Sequence, residues 1–245
     1  MLTITSPHNP TLKLIRSLAE KRNRQENQLF VAEGRQVLER ARAEGWEPVY
    51  LLTSAFCEPW GEAALMKVDD KIMGQVSAQK NPPDRIGVFR QRWAETVKPD
   101  GVWVALEDMR DPGNLGTIIR TADAAGAAGV ILAGQSCDPY SPDCVRATMG
   151  SIFGVPLVRM EQKPFLALLK EWPGESVGTH LKATESYRRS YGAPTLIAMG
   201  SEGRGLSDEA SAACSRLVRI PMKGGAESLN VAIATGLMLF EVQKL

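Results

Sequence analysis

The chain has 245 residues, of which 44% are hydrophobic and 23% charged, with a formal net charge of +1 and an isoelectric point near 7.7. These values are ordinary for a globular protein of one large domain or two smaller ones, and no apolar run reaches the ~18 residues that a membrane span needs. A near-neutral charge excludes a protein that is basic throughout, so any nucleic-acid surface must be local.

The N-terminal residues contain no basic segment followed by an apolar one, so no secretory signal is expected and the predicted location is the cytoplasm. Neither the two histidines nor the four cysteines have the spacing of a metal site, and no C-x-x-C pair occurs. No metal is therefore predicted. The cysteines, which we expect to be reduced, are Cys57, Cys137, Cys144 and Cys214.

The first ninety residues are predicted to form a small α/β unit. Apolar stripes at helical spacing predict one helix through Leu12, Ile15 and Leu18, and another through Val37, Leu38 and Ala41. Strands are predicted at 49–53 and 86–89, with a helical stretch near 60–67.

Residues 11–43 carry eight basic side chains against four acids, a local charge of +4. Two solvated helices would explain this excess, and so would a face that binds RNA phosphates. The basic residues are Lys13, Arg16, Lys21, Arg22, Arg24, Arg35, Arg40 and Arg42.

A polar, patternless stretch near 91–101 is the predicted linker. After it, short β-branched runs alternate with helical ones, which predicts a mostly parallel sheet with ligands outside the carboxyl ends of its strands. The predicted strands are 102–106, 129–133, 154–158, 176–181, 195–199 and 217–220, and the predicted helices are 115–125, 142–149, 164–172 and the C-terminal segment.

The turn Asp-Pro-Gly-Asn at 111–114 precedes the first of these helices, and Asn114 is predicted to cap it. Arg120 is expected near the start of this helix, where a cation opposes the helix dipole. It is therefore expected to bind an anion, although a surface salt bridge with Asp123 or Glu107 would also explain it.

Three glycines fall within six residues at the end of a predicted strand, at 200–205. They let the backbone approach a ligand closely. The dinucleotide order G-x-G-x-x-G is absent and no G-K-[ST] follows, so neither phosphate-binding motif is present. Glu202, inside the glycines, would repel phosphate and suit a cationic ligand.

After the last predicted strand, Ile220-Pro221 leads to Gly224-Gly225, and Ser228 or Asn230 is a good cap for the terminal helix. That helix is apolar in nearly every direction. It is therefore predicted to be either enclosed by the fold or shared with a second subunit.

Three blocks occur in order: D-P-x-N-x-G-x-x-x-R-T-A, G-x-E-G-x-G-L and I-P-M-x-G-x-x-x-S-L-N-V-A. Together they resemble the SpoU-like (TrmH-like) branch of the SPOUT RNA methyltransferases. Residues 30–34, with Ser77 and Pro82, are similar to the small ribosomal-protein-like domain that many members carry in front. The resemblance implies an α/β RNA substrate-binding domain at 1–92, a linker at 93–100 and a parallel-sheet α/β methyltransferase domain with a deep trefoil knot at 101–245.

The resemblance also implies S-adenosylmethionine as the methyl donor, a ribose 2′-hydroxyl of structured RNA as the acceptor, with ribosomal RNA favoured over transfer RNA, and a homodimer. By family position the cofactor would be bound by Gly200, Ser201, Gly205, Ile220, Met222 and Leu229. The catalytic group would comprise Arg120, Asn114, Glu202, Ser228 and Asn230. A guanidinium is always protonated, so Arg120 is expected to act as a clamp on phosphate and alkoxide rather than as a base.

Two other classes of protein are compatible with part of this pattern. A catalytically silent, dimeric RNA-binding protein could keep the knot, but Arg120, Asn114 and the glycines that such a protein could lose are all present. A nucleotide-linked α/β oxidoreductase is disfavoured by the missing fingerprint.

Overall fold

The computed structural model describes residues 2–245, which form two compact units. The first comprises the residues up to Arg92 together with Asp138–Gly154, and the second comprises Trp93–Cys137 and Val155–Leu245. The predicted division placed all of 101–245 in one domain, whereas residues 138–154 pack within the first unit.

Nine α-helices and one 3-10 turn, at Ser151–Phe153, occur within residues 2–245. None of these helices is long and apolar enough to span a bilayer. The helices are α1 (Pro10–Ser17), α2 (Lys21–Asn27), α3 (Arg35–Ala43), α4 (Asp70–Val76), α5 (Pro112–Ala124), α6 (Pro142–Thr148), α7 (Gln162–Glu171), α8 (Asp208–Ala213) and α9 (Val231–Gln243).

The strands build one sheet in each unit. They are β1 (Leu2–Thr3), β2 (Leu29–Glu33), β3 (Tyr50–Thr53), β4 (Ala64–Lys67), β5 (Arg85–Arg90), β6 (Val102–Glu107), β7 (Gly129–Ala133), β8 (Leu157–Met160), β9 (Glu175–Thr179), β10 (Glu185–Ser186), β11 (Thr195–Met199) and β12 (Arg216–Arg219). The first sheet is mixed, in the order β1-β4-β3-β5-β2, and the second is parallel throughout, in the order β10-β12-β9-β11-β6-β7-β8.

The helix predicted near 60–67 is wrong, because residues 64–67 form β4, parallel to β3. Met66 is buried there between exposed or half-buried neighbours, which is strand rather than helix periodicity. Helix α8 was not predicted. It is short, and it is capped by Ser207, whose hydroxyl accepts a hydrogen bond from the Ala210 N–H.

Arg24 is buried inside the first unit, at 3% exposure, and does not belong to an RNA-facing surface. Its guanidinium makes bonds of 2.9 and 2.8 Å to Asp138 and donates to the carbonyls of Leu18 and Ala19. A buried charge needs such partners. Arg24 is therefore not part of the predicted basic face. Instead, it links residues 138–154 to α2.

In the parallel sheet, β6 and β11 are neighbours near the centre, with Leu106 beside Met199. The chain runs from β6 to β7 and β8 on one side and then crosses to β9 on the other. Such a reversal of strand order opens a crevice at the carboxyl edge of the sheet, where α/β proteins bind ligands. Because all seven strands are parallel, the segments after β6, β11 and β12 emerge at this same edge.

Candidate active site

Helix α5 starts three residues earlier than predicted, and Asn114 does not cap it. Asp111 is the cap: its carboxylate accepts a 2.6 Å hydrogen bond from the Asn114 N–H, and Pro112 occupies the first helical position. The Asn114 side chain is therefore free to make other contacts.

Asn114 joins the three predicted sequence blocks through side-chain hydrogen bonds. Its Nδ2 donates to Glu202 over 2.9 Å, and its Oδ1 accepts from Asn230 Nδ2 over 2.9 Å. The Asn230 Oδ1 caps α9 by accepting from the N–H groups of Ala232 and Ile233. Because the cap fixes which end of Asn230 is oxygen, it also fixes the orientation of Asn114, whose amide N–H must face the carboxylate.

Helices α5 and α9 hold this network between them. At the far end of the pair, Gln243 Nε2 donates to the carbonyls of Ala125 and Gly126 over 3.1 and 3.2 Å. Midway, a Cβ added at Gly236 would lie 3.4 Å from the Thr121 methyl group, so the two helices pack closely. The helix starts that carry Asn114 and Asn230 are thus held in register.

Residues 200–207, called here the glycine loop, fold tightly against themselves. The Gly205 N–H donates to the Ser201 carbonyl over 3.0 Å, and Gly203 and Gly205 have positive φ angles of 84° and 71°. A Cβ at Gly200 would lie 1.8 Å from the Gly205 carbonyl carbon, which no side chain could tolerate. The loop presents Glu202 and the backbone of Gly203 to solvent.

Glu107, at the end of β6, anchors the other end of the glycine loop, a role that the sequence analysis missed. It is 3% exposed, and its carboxylate accepts from the Ser207 N–H over 2.8 Å, from the Ser207 hydroxyl over 2.7 Å and from Gln162 Nε2. The only sequence signal for it is an acid at the last position of an otherwise apolar strand.

Arg120 lies in the middle of α5, two turns after the helix start, so the expectation from the helix dipole was wrong. Its side chain is exposed, and it forms no ion pair with any residue in 2–245. The predicted salt bridge with Glu107 is not formed, since Glu107 is buried among other donors. The guanidinium remains available to an external anion.

Residues 221–229, called here the C-terminal loop, make no hydrogen bond within the part of the chain that the structure describes. Ser228 is exposed and is not joined to the Asn114 network. The three apolar residues predicted to bind the cofactor, Ile220, Met222 and Leu229, are half-buried around this loop.

Cys214 is close enough to Glu107 to feel its charge, and burial, with a smaller contribution from Glu107, raises the pKa of the Cys214 thiol to about 12. It is therefore neutral at physiological pH and unsuited to be a nucleophile. Within residues 2–245, no group of three or more histidine, cysteine or acidic side chains could hold a metal ion.

Residues 101–240 match the model of the SpoU rRNA methylase family. The chain belongs to this family. Residues 9–87 match the MRM3-like substrate binding domain. The family prediction is confirmed.

Relatives and solved structures extend the SpoU likeness over nearly the whole chain. The 23S rRNA (guanosine-2′-O-)-methyltransferase RlmB of Pseudomonas syringae is 34% identical over 236 residues, which are 91% of this chain and 84% of the relative. An AdoMet-bound rRNA methyltransferase from Sinorhizobium meliloti is 38% identical with a TM-score of 0.90, covering 99% of this chain and 97% of that one. The SpoU methyltransferase AviRb of Streptomyces viridochromogenes, in complex with AdoMet, is 28% identical with a TM-score of 0.84, over 97% and 98% of the two chains.

These likenesses confirm the predicted α/β fold with a large parallel sheet. The trefoil knot stays a prediction, as do the roles of the individual site residues.

Proposed function

We propose that the chain transfers a methyl group from S-adenosylmethionine to a ribose 2′-hydroxyl of ribosomal RNA. The observation that carries this proposal is the hydrogen-bonded chain from Asn230 through Asn114 to Glu202. It brings together the three sequence blocks, which are far apart along the chain, at the carboxyl edge of the parallel sheet. Relatives that span nearly the whole chain and are named as rRNA 2′-O-methyltransferases support the reaction class.

The residues at this edge fit S-adenosylmethionine. Gly203 and Gly205 leave open space beside the backbone of the glycine loop, where a Cβ would meet nothing within 4 Å. Gly200, Ser201 and Gly205 would bind the cofactor through backbone groups, with Ile220, Met222 and Leu229 as the apolar floor. When bound, the cofactor supplies an electrophilic methyl group on a sulfonium, whose positive charge suits the nearby Glu202 carboxylate.

The protein contributes positioning and charge. Methyl transfer is an in-line displacement, so holding the ribose oxygen against the methyl carbon lowers the barrier by itself. Arg120 is unpaired and exposed, and it would hold an RNA phosphate and stabilise the alkoxide that forms. Glu202, oriented by Asn114, would take the hydroxyl proton. Ser228 and Asn230 would orient the ribose.

The direct test is incubation of unmodified ribosomal RNA with the protein and labelled S-adenosylmethionine, followed by mapping of 2′-O-methylation. We expect Arg120→Ala to abolish turnover and Arg120→Lys to recover only part of it. Lysine keeps the positive charge but cannot form the bidentate hydrogen bonds of a guanidinium group. Affinity for S-adenosylhomocysteine, measured by calorimetry, should stay within about threefold, since Arg120 acts on RNA.

Lys170→Ala, which removes an exposed cation on α7, is the matched control and should behave as wild type. Near-normal methylation by Arg120→Ala would refute the assignment of Arg120. RNA binding without any transfer would favour the silent RNA-binding protein, and calorimetric binding of NAD or ATP in place of S-adenosylhomocysteine would favour the oxidoreductase.

The proposal includes a homodimer built on α9. Val231, Met238 and Leu239 face the interior of the second unit, but Ile233, Leu237 and Phe240 form an apolar stripe on the outside, 57%, 37% and 43% exposed. The stripe borders a hollow of about 470 Å³. A monomer seldom exposes such a surface, and a two-fold interface of about 1,600 Å² would cover it.

Light scattering after size exclusion should give about twice the 26.7 kDa chain mass. Leu237→Arg should lower this mass and weaken cofactor binding, because family position places the partner beside Leu229 and Asn230. Leu181→Arg, at a leucine outside the stripe that is 59% exposed, should change neither. A wild-type monomer that methylates RNA would overturn the dimer and leave the reaction intact.

A further inference from the structure

Phe56, in the first unit, is 83% exposed on the segment between β3 and β4. The backbone that carries it is held in place. The Thr53 hydroxyl donates to the Ala55 carbonyl over 2.8 Å and accepts from the Ala55 N–H over 3.2 Å, while Arg85 Nη2 donates to the Phe56 carbonyl over 3.0 Å. An ordered backbone thus presents an aromatic ring to solvent.

A second arginine fixes the far end of the same segment. Arg42 Nη2 donates to the Pro59 carbonyl over 3.0 Å, and its guanidinium lies over the Trp60 ring at 5.1 Å from the centroid. Beside Phe56 is a hollow of about 240 Å³. Its charged lining residues are Arg35, Arg42, Arg85, Glu39 and Glu58.

The charge of this hollow is nearly balanced, since Glu39 and Glu58 line it and Arg35 pairs with Asp84 over 3.3 Å. This surface is therefore not expected to bind several phosphates strongly. An exposed ring flanked by guanidinium groups instead suits the face of an unpaired base, which stacks on aromatic side chains irrespective of its identity.

We propose that Phe56 stacks against an unpaired base of the RNA substrate, with the hollow beside it receiving the rest of that nucleotide. Single exposed apolar residues are common and carry no meaning alone. Here two arginines brace the segment that exposes the ring, and the segment lies within the part of the chain that matches a substrate binding domain. The inference rests on the proposed function, because it takes the substrate to be RNA.

The test measures binding of a short, labelled, mixed-sequence single-stranded RNA, and of the corresponding duplex, by fluorescence anisotropy at several salt concentrations. Phe56→Ala should weaken single-strand binding about tenfold and leave duplex binding unchanged, because duplex bases are already stacked. The slope of log affinity against log salt should not change, since no phosphate contact is lost. Phe56→Trp should restore the affinity.

Leu2→Ala removes another exposed apolar side chain of the same unit, 62% exposed on β1, and should bind as wild type does. Unchanged single-strand binding by Phe56→Ala would overturn the inference, as would an equal loss for duplex RNA. A lower particle mass for Phe56→Ala in light scattering would also overturn it, because the ring would then contact a second copy of the chain.

The two proposals fail in different ways. If wild-type protein methylates ribosomal RNA and Phe56→Ala binds single strands normally, only the stacking role is wrong. If wild-type protein neither binds nor methylates RNA, the proposed function is wrong.

Discussion

The glycine loop contains Glu202 and the C-terminal loop leads directly to Asn230, the two residues bonded to Asn114, but the two loops are fixed to very different degrees. The glycine loop is closed on itself between Ser201 and Gly205, and Glu107 anchors its end at Ser207. The C-terminal loop forms no hydrogen bond within residues 2–245, and its two glycines have open space around them. One half of the candidate site is therefore held by its own hydrogen bonds, while the other half has none to fix its conformation.

Because of this difference, we expect the two loops to have separate roles in ligand binding. A preformed loop loses little conformational entropy on binding, which favours affinity and correct geometry. An unanchored loop can open for the entry of a ligand and close afterwards, at an entropic cost that the ligand or a partner must offset. We therefore expect the glycine loop to tolerate far less change than the C-terminal loop.

The largest difference should appear between Gly200→Ala and Gly224→Ala. At Gly200 the new methyl group would overlap backbone atoms of Gly205 and Leu206 within 2.0 Å, and no side-chain rotation can relieve that clash. We expect a loss of about 3 kcal/mol in the free energy of unfolding, or a displaced loop with at least tenfold weaker cofactor binding. Gly224→Ala should be neutral or slightly stabilising, because it restricts the unfolded chain.

Denaturant unfolding and calorimetry with S-adenosylhomocysteine provide both measurements. Equal effects of the two substitutions would show that the glycine loop is not preformed.

A smaller and graded effect is expected at Glu107. Glu107→Ala leaves the Ser207 N–H and hydroxyl and the Gln162 amide without their buried acceptor, which should cost about 2–3 kcal/mol and release the end of the glycine loop. Glu107→Gln keeps one oxygen for the Ser207 N–H. Its new NH₂ group faces the Ser207 hydroxyl, which can accept, and Gln162, which can rotate its amide.

We therefore expect cofactor affinity to fall about tenfold in Glu107→Ala and to stay within about threefold of wild type in Glu107→Gln, as measured by calorimetry. A comparable loss in both variants would mean that the charge of Glu107, rather than its hydrogen bonds, supports the loop.

Much of the second unit could be predicted from the sequence because its central strands β6, β7 and β11 are buried on both faces. Runs such as 129–133 and 195–199 are continuously apolar, and the predicted bounds match β7 and β11. Parallel strands then place the three sequence blocks at one edge. Of the five residues that the resemblance implied as a catalytic group, Asn114, Glu202 and Asn230 are joined there by hydrogen bonds, whereas Ser228 is not.

The errors concern features that depend on contacts between residues distant in the sequence. The choice between Asp111 and Asn114 as the cap shifts the helix start by three residues, and local patterns fix helix ends poorly. The strand at 64–67 forms because β3 lies beside it, and nothing in its four residues indicates this. Glu107 gains its partners from residues 55 and 100 positions further along the chain.

The placement of residues 138–154 has a consequence for how the protein is made and dissected. During synthesis, the first unit is incomplete until residue 154 has left the ribosome. Until then it lacks helix α6, the Tyr140 ring that packs beside Phe30, and the Phe153 carbonyl that accepts a hydrogen bond from the Trp46 indole. A fragment ending at Arg92 would bury Arg24 without Asp138, and an unpaired buried charge costs about 3–5 kcal/mol. The first unit is thus expected to mature only after Trp93–Cys137, about the first third of the second unit, has been translated, and it should be studied in the full chain.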